Sequence, residues 1–332
     1  MIKRTKNNKT SRGKWIFLSW SYSRRSEDIA EVIGIKYIFF PLNQKIRFLQ
    51  FPLLFIKTIL FLKRESPNVI FIQHPPIHSI FPVFLYTLIY KKKYIIDSHI
   101  TPGTTLIEKP HHHIYLILHR FYSYFAAVTL FHSKAILEKL HKWRCHSMVF
   151  ENPVKFLKTM PPFIIKKRPA IGMVSSFSPD EHVEDVIKAA GGITNFYLYI
   201  TGEREKLSSN LLKNIPQNVI FTGFIAGERY YAFLKALDIV IVLTDRKESA
   251  LLGAYETLSA ETPLIVSNTK TMKYYFPIGT VFVENNADSI RNGIKTAYNK
   301  RKALKSEINK LKLNKIKKQE KKIQKIMELV NL

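Results

Sequence analysis

Residues 219–268 read VIFTGFIAGERYYAFLKALDIVIVLTDRKESALLGAYETLSAETPLIVSN, and this stretch decides the fold. Its order is strand (Val219–Phe221), glycine-containing turn, helix, strand (Ile239–Leu243), acidic loop, helix, strand (Leu264–Ser267). Short apolar runs alternating with helical patterns argue for a parallel sheet with crossover helices. Glu248 stands just before the second helix, Glu256 two turns into it, and Glu261, Thr262 and Pro263 mark its end. A helix start beside a strand's carboxyl end offers free N–H groups and a positive dipole end, which suits a diphosphate. A carboxylate there has two oxygens with which to grip the vicinal diol of a sugar or ribose.

The same rhythm extends in both directions. Upstream, strands are predicted at Trp15–Ser19, Tyr37–Phe40, Val69–Gln73, Tyr94–Asp97, Val128–Phe131 and Met148–Phe150. Others are predicted at Ala170–Val174, Phe196–Thr201 and Thr280–Val283. Glu151 to Pro169 holds four prolines and no apolar period, so it reads as a linker. The resulting division is an α/β domain over 1–152, a linker at 153–168, a second α/β domain over 169–297 and a Lys-rich helix over 298–332. On that helix Leu304, Ile308, Leu311, Ile323, Ile326 and Val330 share one face, and the lysines either solvate the rest or attract phosphate.

With 332 residues, 46% hydrophobic and 23% charged, the chain can bury two cores and is not a disordered, collagen-like or disulfide-stapled sequence. A lone cysteine, Cys145, makes no internal disulfide, so a reducing, cytoplasmic setting is expected. The 52 Lys and Arg against 25 Asp and Glu leave a net charge of +27, which attracts phosphate in a nucleotide-sugar, nucleic acid or anionic lipid, or else reflects compositional bias. Lys3, Arg4, Lys6, Lys9, Arg12 and Lys14 precede an apolar run, Trp15–Leu18, that is too short for a signal peptide. No run reaches the ~20 apolar residues of a membrane span. Residues 44–64 form a helix rich in Phe and Leu and fringed by Lys45, Arg47, Lys57, Lys63 and Arg64, which fits either a lipid interface or a buried core position.

Several other side chains could carry chemistry. His99 follows the strand ending at Asp97, where open α/β sheets place ligands, and a histidine or carboxylate there could accept a proton from an acceptor hydroxyl. His74 ends the preceding strand before Pro75 and Pro76. Arg24 and Arg25 open the first helix, either to hold an acceptor phosphate through forked hydrogen bonds or to sit in water. His111, His112 and His113 are adjacent on a helix and point in different directions, so no metal site is expected of them. No D-x-D motif occurs.

Glu248 and Glu256, with VIFTGF and DIVIVLTD upstream and Ile200-Thr201-Gly202-Glu203 before them, resemble the E-x7-E block of GT-B glycosyltransferases, above all family 4. The resemblance covers most of residues 170–285 and implies two Rossmann-like domains with a cleft between them and a UDP- or GDP-linked sugar as donor. It implies no cofactor and no metal. By its motifs Glu248 would bind donor-sugar hydroxyls and take part in catalysis, Glu256 would bind ribose, and the backbone of Ala250, Leu251 and Leu252 the diphosphate. Ser176, Gly202 and Gly223 would border the donor. His99, with Asp97, matches the family's histidine at the end of its strand.

Two departures stand out: Leu251 replaces a glycine common in the acidic loop, and Ser176 and Glu181 occupy the places of a diphosphate-binding arginine and lysine. Arg204, Arg246 and Lys247 are the alternative cations.

The loop Ser175–His182, the phrase VIFIQHPP (Val69–Pro76) and the phrase KYIIDSH (Lys93–His99) are also similar to the β-1,4-mannosyltransferases that act on dolichol-linked chitobiose. That likeness implies a polyprenyl-linked glycan acceptor, bound near Arg24, Arg25 and His74, and a place on the cytoplasmic membrane face. Those mannosyltransferases invert and family 4 retains, which leaves the stereochemistry open. Two alternatives stand beside this reading: an inactive GT-B subunit partnering an active enzyme, and a basic nucleic-acid-binding protein, for which no recognition module is present.

Overall fold

The computed structural model of the chain describes residues 14–43, 47–100, 110–139, 145–202, 204–207, 212 and 214–331. The N-terminal basic run up to Arg12, with Gln44, Lys45 and Glu203, lies outside them, as do the side chains of Arg47, His111 and His112. Two compact units emerge: residues 1–153 with 321–332, and residues 154–320.

The first unit runs β1 (Trp15–Ser19), α1 (Arg24–Ile33), β2 (Lys36–Phe39), α2 (Arg47–Glu65), β3 (Val69–His74), α3 (Ile80–Tyr90), β4 (Lys93–Ser98), α4 (Pro110–Phe125), β5 (Val128–Phe131), α5 (Lys134–Lys139) and β6 (Ser147–Val149). Its six strands are all parallel in the order β2-β1-β3-β4-β5-β6. Every residue of β1, β3 and β5 is buried, because helices cover both faces, which explains their unbroken apolar runs. One face packs Ile29, Ala30 and Ile33 of α1 together with Ile323, Ile326 and Val330 from the end of the chain. The other packs Leu54 and Leu62 of α2, Ile80 and Val83 of α3, and Tyr122 of α4.

The second unit runs β7 (Ala170–Met173), α6 (Val183–Gly191), β8 (Tyr197–Thr201), β9 (Val219–Gly223), α7 (Gly227–Ala236), β10 (Ile239–Val242), α8 (Leu252–Ser259), β11 (Leu264–Ser267), α9 (Lys270–Tyr275), β12 (Thr280–Val283) and α10 (Ala287–Asn299). The sheet is again all parallel, in the order β12-β11-β10-β7-β8-β9, the doubly wound arrangement whose order reverses between β7 and β10. Residues 154–169 form no helix or strand, yet Val154 is buried and Leu157, Met160, Phe163 and Ile165 pack on this unit's core.

The long helix α11 (Arg301–Asn331) follows a break after α10. Its Ile308, Leu311 and Ile316 join the second core, and its last turns belong to the first unit. One of its lysines departs from the solvated pattern. Lys312, 4% exposed, donates to the Ser259 carbonyl and to Glu261, both at 2.8 Å. A cation there satisfies carbonyls at the C-terminal end of α8, where the helix dipole favours positive charge.

Candidate active site

Ligands of open α/β sheets bind outside the strands' carboxyl ends at the point where strand order reverses. In the second unit that point lies between the loops after β7 and β10. The β7 loop closes on Glu181, whose carboxylate accepts from the Ser175 and Ser176 hydroxyls (2.6 and 2.9 Å) and from the Ser176 amide (2.8 Å). The two residues at the expected cation positions are thus bonded to each other. Asp180 joins this loop to the β10 loop by accepting from the Thr244 hydroxyl at 2.8 Å and pairing with Arg246 at 3.1 Å. Burial works to raise the Asp180 carboxyl, but bonds from Ser178 and Thr244 and the Arg246 charge hold it below the ordinary range. Arg246 is therefore engaged at home although exposed, and Lys247 and Arg204 are exposed as well.

Gly202 follows β8 at φ +110, and a Cβ there would stand 2.6 Å from the Phe177 ring and 2.8 Å from the Ser175 carbonyl oxygen. Only glycine lets the β8 end lie against the β7 loop. Its N–H donates to the Gly223 carbonyl at 3.1 Å, so both expected glycines meet at this edge beside Ser176's loop.

Leu251 caps α8 with φ −67 and ψ 137, a conformation open to any residue, so the missing family glycine carries no backbone strain. The N-cap Leu251 has an apolar side chain, which makes no capping bond to the first turn of α8. The residue the sequence reading passed over is Gly253: a Cβ there would lie 3.2 Å from Val174 at the end of β7, so a small residue seats the helix start against the sheet. The helix begins at Leu252, later than expected, which puts Glu256 about one turn in. Glu248 is half-buried in the loop; Glu256 is 5% exposed and accepts from the Tyr230 hydroxyl of α7 at 2.8 Å.

In the first unit the carboxyl ends of β1, β3 and β4 hold a buried polar network. Asp97, fully buried, accepts from Arg25 Nε and Nη2 at 3.1 and 3.0 Å and lies 2.6 Å from His99 Nε2. Arg25 also donates to Asn152 (2.9 Å) and to the Phe150 carbonyl (2.7 Å). Ser26, Gln73 and Ser19 complete the network through their side chains. Burial pushes the Asp97 carboxyl up, but the charges of Arg25 and His99 overcome it and hold the group far below the carboxylate range.

This geometry corrects two expectations. Arg25 is 5% exposed with its donors turned inward, so it neutralises Asp97 rather than a phosphate; its neighbour Arg24 is only half-buried. His74 is 2% exposed and stacks on His119 with ring centroids 4.2 Å apart; burial, with the His99 charge, pushes it down to about 3. It is a neutral packing residue beneath the site. His132 was not foreseen: burial and the Arg25 charge push it to about 3 as well. His99 itself keeps 20% of its side chain exposed while Asp97 fixes the ring, which leaves a positioned imidazole at the surface of the first unit.

The family model "Glycosyl transferases group 1" matches residues 158–323. The chain belongs to that family. No curated protein matches its sequence. Solved structures are similar along nearly its whole length. Sucrose-phosphate synthase from Thermosynechococcus elongatus superposes with a TM-score of 0.73 at 13% identity, over 96% of this chain and 98% of that one. Anabaena HepE in complex with UDP and glucose gives 0.68 at 14% identity, over 95% and 99%. The lipopolysaccharide outer core galactosyltransferase WaaB gives 0.56 at 16% identity, over 91% and 98%. At these identities the likeness is one of fold, the GT-B type, and this group 1 glycosyltransferase shares it in both six-stranded units.

Proposed function

We propose that the protein transfers a hexose-like sugar from a UDP- or GDP-linked donor to a polyprenyl-linked glycan acceptor on the cytoplasmic face of a membrane. The observation that carries the donor half is the start of α8 at the strand-order reversal, with Glu248 just ahead of it and Glu256 one turn on. The N–H groups of Ala250, Leu251 and Leu252 take the diphosphate, with Lys247 or Arg204 adding positive charge. Glu248 holds the sugar hydroxyls, and Glu256, oriented by Tyr230, takes the ribose. Ser176, Gly202 and Gly223 form the edge of this pocket. HepE, bound to UDP and glucose in a similar fold, supports a nucleotide-sugar donor.

On the acceptor side, His99 fixed by Asp97 accepts the proton of the attacking hydroxyl. Two of the three phrases resembling chitobiose mannosyltransferases fall on β3 and β4, adjacent strands with Gln73 opposite Asp97, which supports a related acceptor. The reaction runs without a metal ion.

A panel of nucleotide-sugars in a thermal-shift assay tests the donor. A ligand at 100 times its Kd adds ~2.7 kcal/mol of stability, and Glu248→Ala should lose turnover while keeping affinity for free nucleotide. No shift with any nucleotide-sugar overturns the reading. Ser176 and Glu181 at the cation positions favour one alternative, an inactive subunit, which would bind donor without turning it over.

A further inference from the structure

The helix layer α2–α3–α4 is apolar on both of its sides. Its inner side packs on the first unit's sheet. On the outer side Leu49, Leu53, Ile56 and Leu60 of α2 are 55–80% exposed, at the three- and four-residue steps of one helical stripe. Leu88 and Ile89 continue it on α3 (63% and 68%), and Ile114, Ile117 and Tyr124 on α4 (61–66%). The three helices touch edge to edge through Phe55 with Phe81 and through Phe84 with Phe121 and Phe125, so the stripes form one surface. Contiguous apolar patches of this kind mark interaction sites.

Charge selects the occupant. Between residues 47 and 125 the sequence holds Lys57, Lys63, Arg64, Lys91 and Arg120 among its bases, and its only acids are Glu65, Asp97 and Glu108. Asp97 is buried, and Glu65 pairs with Lys14 and Arg64. Lys57, Lys63, Lys91 and Arg120 are exposed. At the amino-terminal edge of the sheet the face deepens into a pocket of about 430 Å³ lined by Phe84, Leu88, Phe125 and Leu329, with Lys92 and Lys93 beside them. An apolar face with a basic fringe and an apolar recess flanked by lysines has the chemistry of acyl chains under anionic headgroups. A second copy of this chain, itself at +27, would oppose like charge to like.

We infer that the outer face of α2, α3 and α4 seats the protein in the interface of an anionic lipid bilayer. No described helix is long and apolar enough to cross a membrane, so the contact is in the plane of the surface. It rests on the proposed function only for why a transferase needs such a face.

The test is co-sedimentation of the full chain with vesicles of phosphatidylcholine alone or mixed with phosphatidylglycerol. Wild type should partition to the mixed vesicles, and less so in high salt. The triple variant Leu53→Gln, Leu88→Gln, Ile117→Gln should bind at least tenfold more weakly with an unchanged thermal midpoint, since all three side chains are more than 60% exposed. Wild type left in the supernatant with both vesicle types, undiminished binding of the triple variant, or a vesicle-free dimer that the variant dissociates would each overturn the inference. Nucleotide-sugar stabilisation measured on the same two proteins separates this from the donor reading: its absence in wild type sinks the donor site and leaves the lipid face standing.

Discussion

Removing the Arg25 guanidinium exposes how much the first unit depends on one buried ion pair. In Arg25→Met the Asp97 carboxylate stays at 0% exposure and loses its cation. At 3.0 Å and an effective dielectric near 20 the lost attraction is about 5 kcal/mol, and breaking a buried pair from one side typically costs ~3–5 kcal/mol. His99 remains 2.6 Å from Asp97 and offsets part of it, so we expect a loss of about 3–5 kcal/mol in urea unfolding at pH 7.5. The pH dependence has a definite sign. In wild type the depressed Asp97 group contributes stability that is present above its unfolded pKa, about 4, and is lost as pH falls toward the folded value. In the variant only His99 still opposes the burial that raises the group, so protonation costs less than in wild type and the gap should narrow as pH falls. The double variant Arg25→Met/Asp97→Asn, with no charge left to bury, should recover more than half of the loss. A single variant within 1 kcal/mol of wild type, or a double variant no better than the single, would refute the reasoning.

Lys312→Met should lower stability by about 1–3 kcal/mol, since it leaves the Ser259 carbonyl and Glu261 without their buried donor; an unchanged thermal midpoint would return this lysine to the solvated face of α11. Tyr230→Phe should weaken UDP-sugar binding severalfold by freeing the Glu256 carboxylate, and calorimetry showing equal affinity would remove Tyr230 from the donor site. His74 and His132, both pushed to about 3, bind no proton near neutrality while the unfolded chain's histidines charge below about 6.5. Each therefore withdraws about 2 kcal/mol between pH 7 and pH 5, and a flat stability profile over that interval would contradict their burial.

The strand pattern was legible because the central strands of each sheet are buried on both faces. Such strands appear as short, continuous β-rich runs, and the twelve predicted segments match β1 to β12 with ends differing by at most two residues. Boundaries set by packing were less visible. Proline content marked Glu151 to Pro169 as irregular, and nothing local told that Val154, Met160 and Phe163 would pack on the second core. The placement of Glu248 on a loop and Glu256 on the helix after it was readable because the two are close in sequence. Gly253 had a readable signal too, a glycine near a helix start, but its reason is Val174, distant in the chain.

The first unit's polar network had no such signal. Arg25, Gln73, Asp97 and Asn152 come from four separate elements, and an arginine at a helix start looks the same whether it faces water or a buried carboxylate. The helix layer failed in a related way. The sequence offered residues 44–64 as either core or lipid-facing, and those choices are not exclusive. Leu54, Thr58 and Leu62 form a buried stripe, and Leu53, Ile56 and Leu60, offset around the same helix, form an exposed one. A one-sided apolar stripe satisfies a helix that covers a sheet in water. A helix apolar on two sides needs a second apolar medium, and α3, with no charged residue, and α4, with only Arg120, carry the same demand across the layer. Because all three helices repeat it, the outer stripe is a property of the surface and not an accident of one segment.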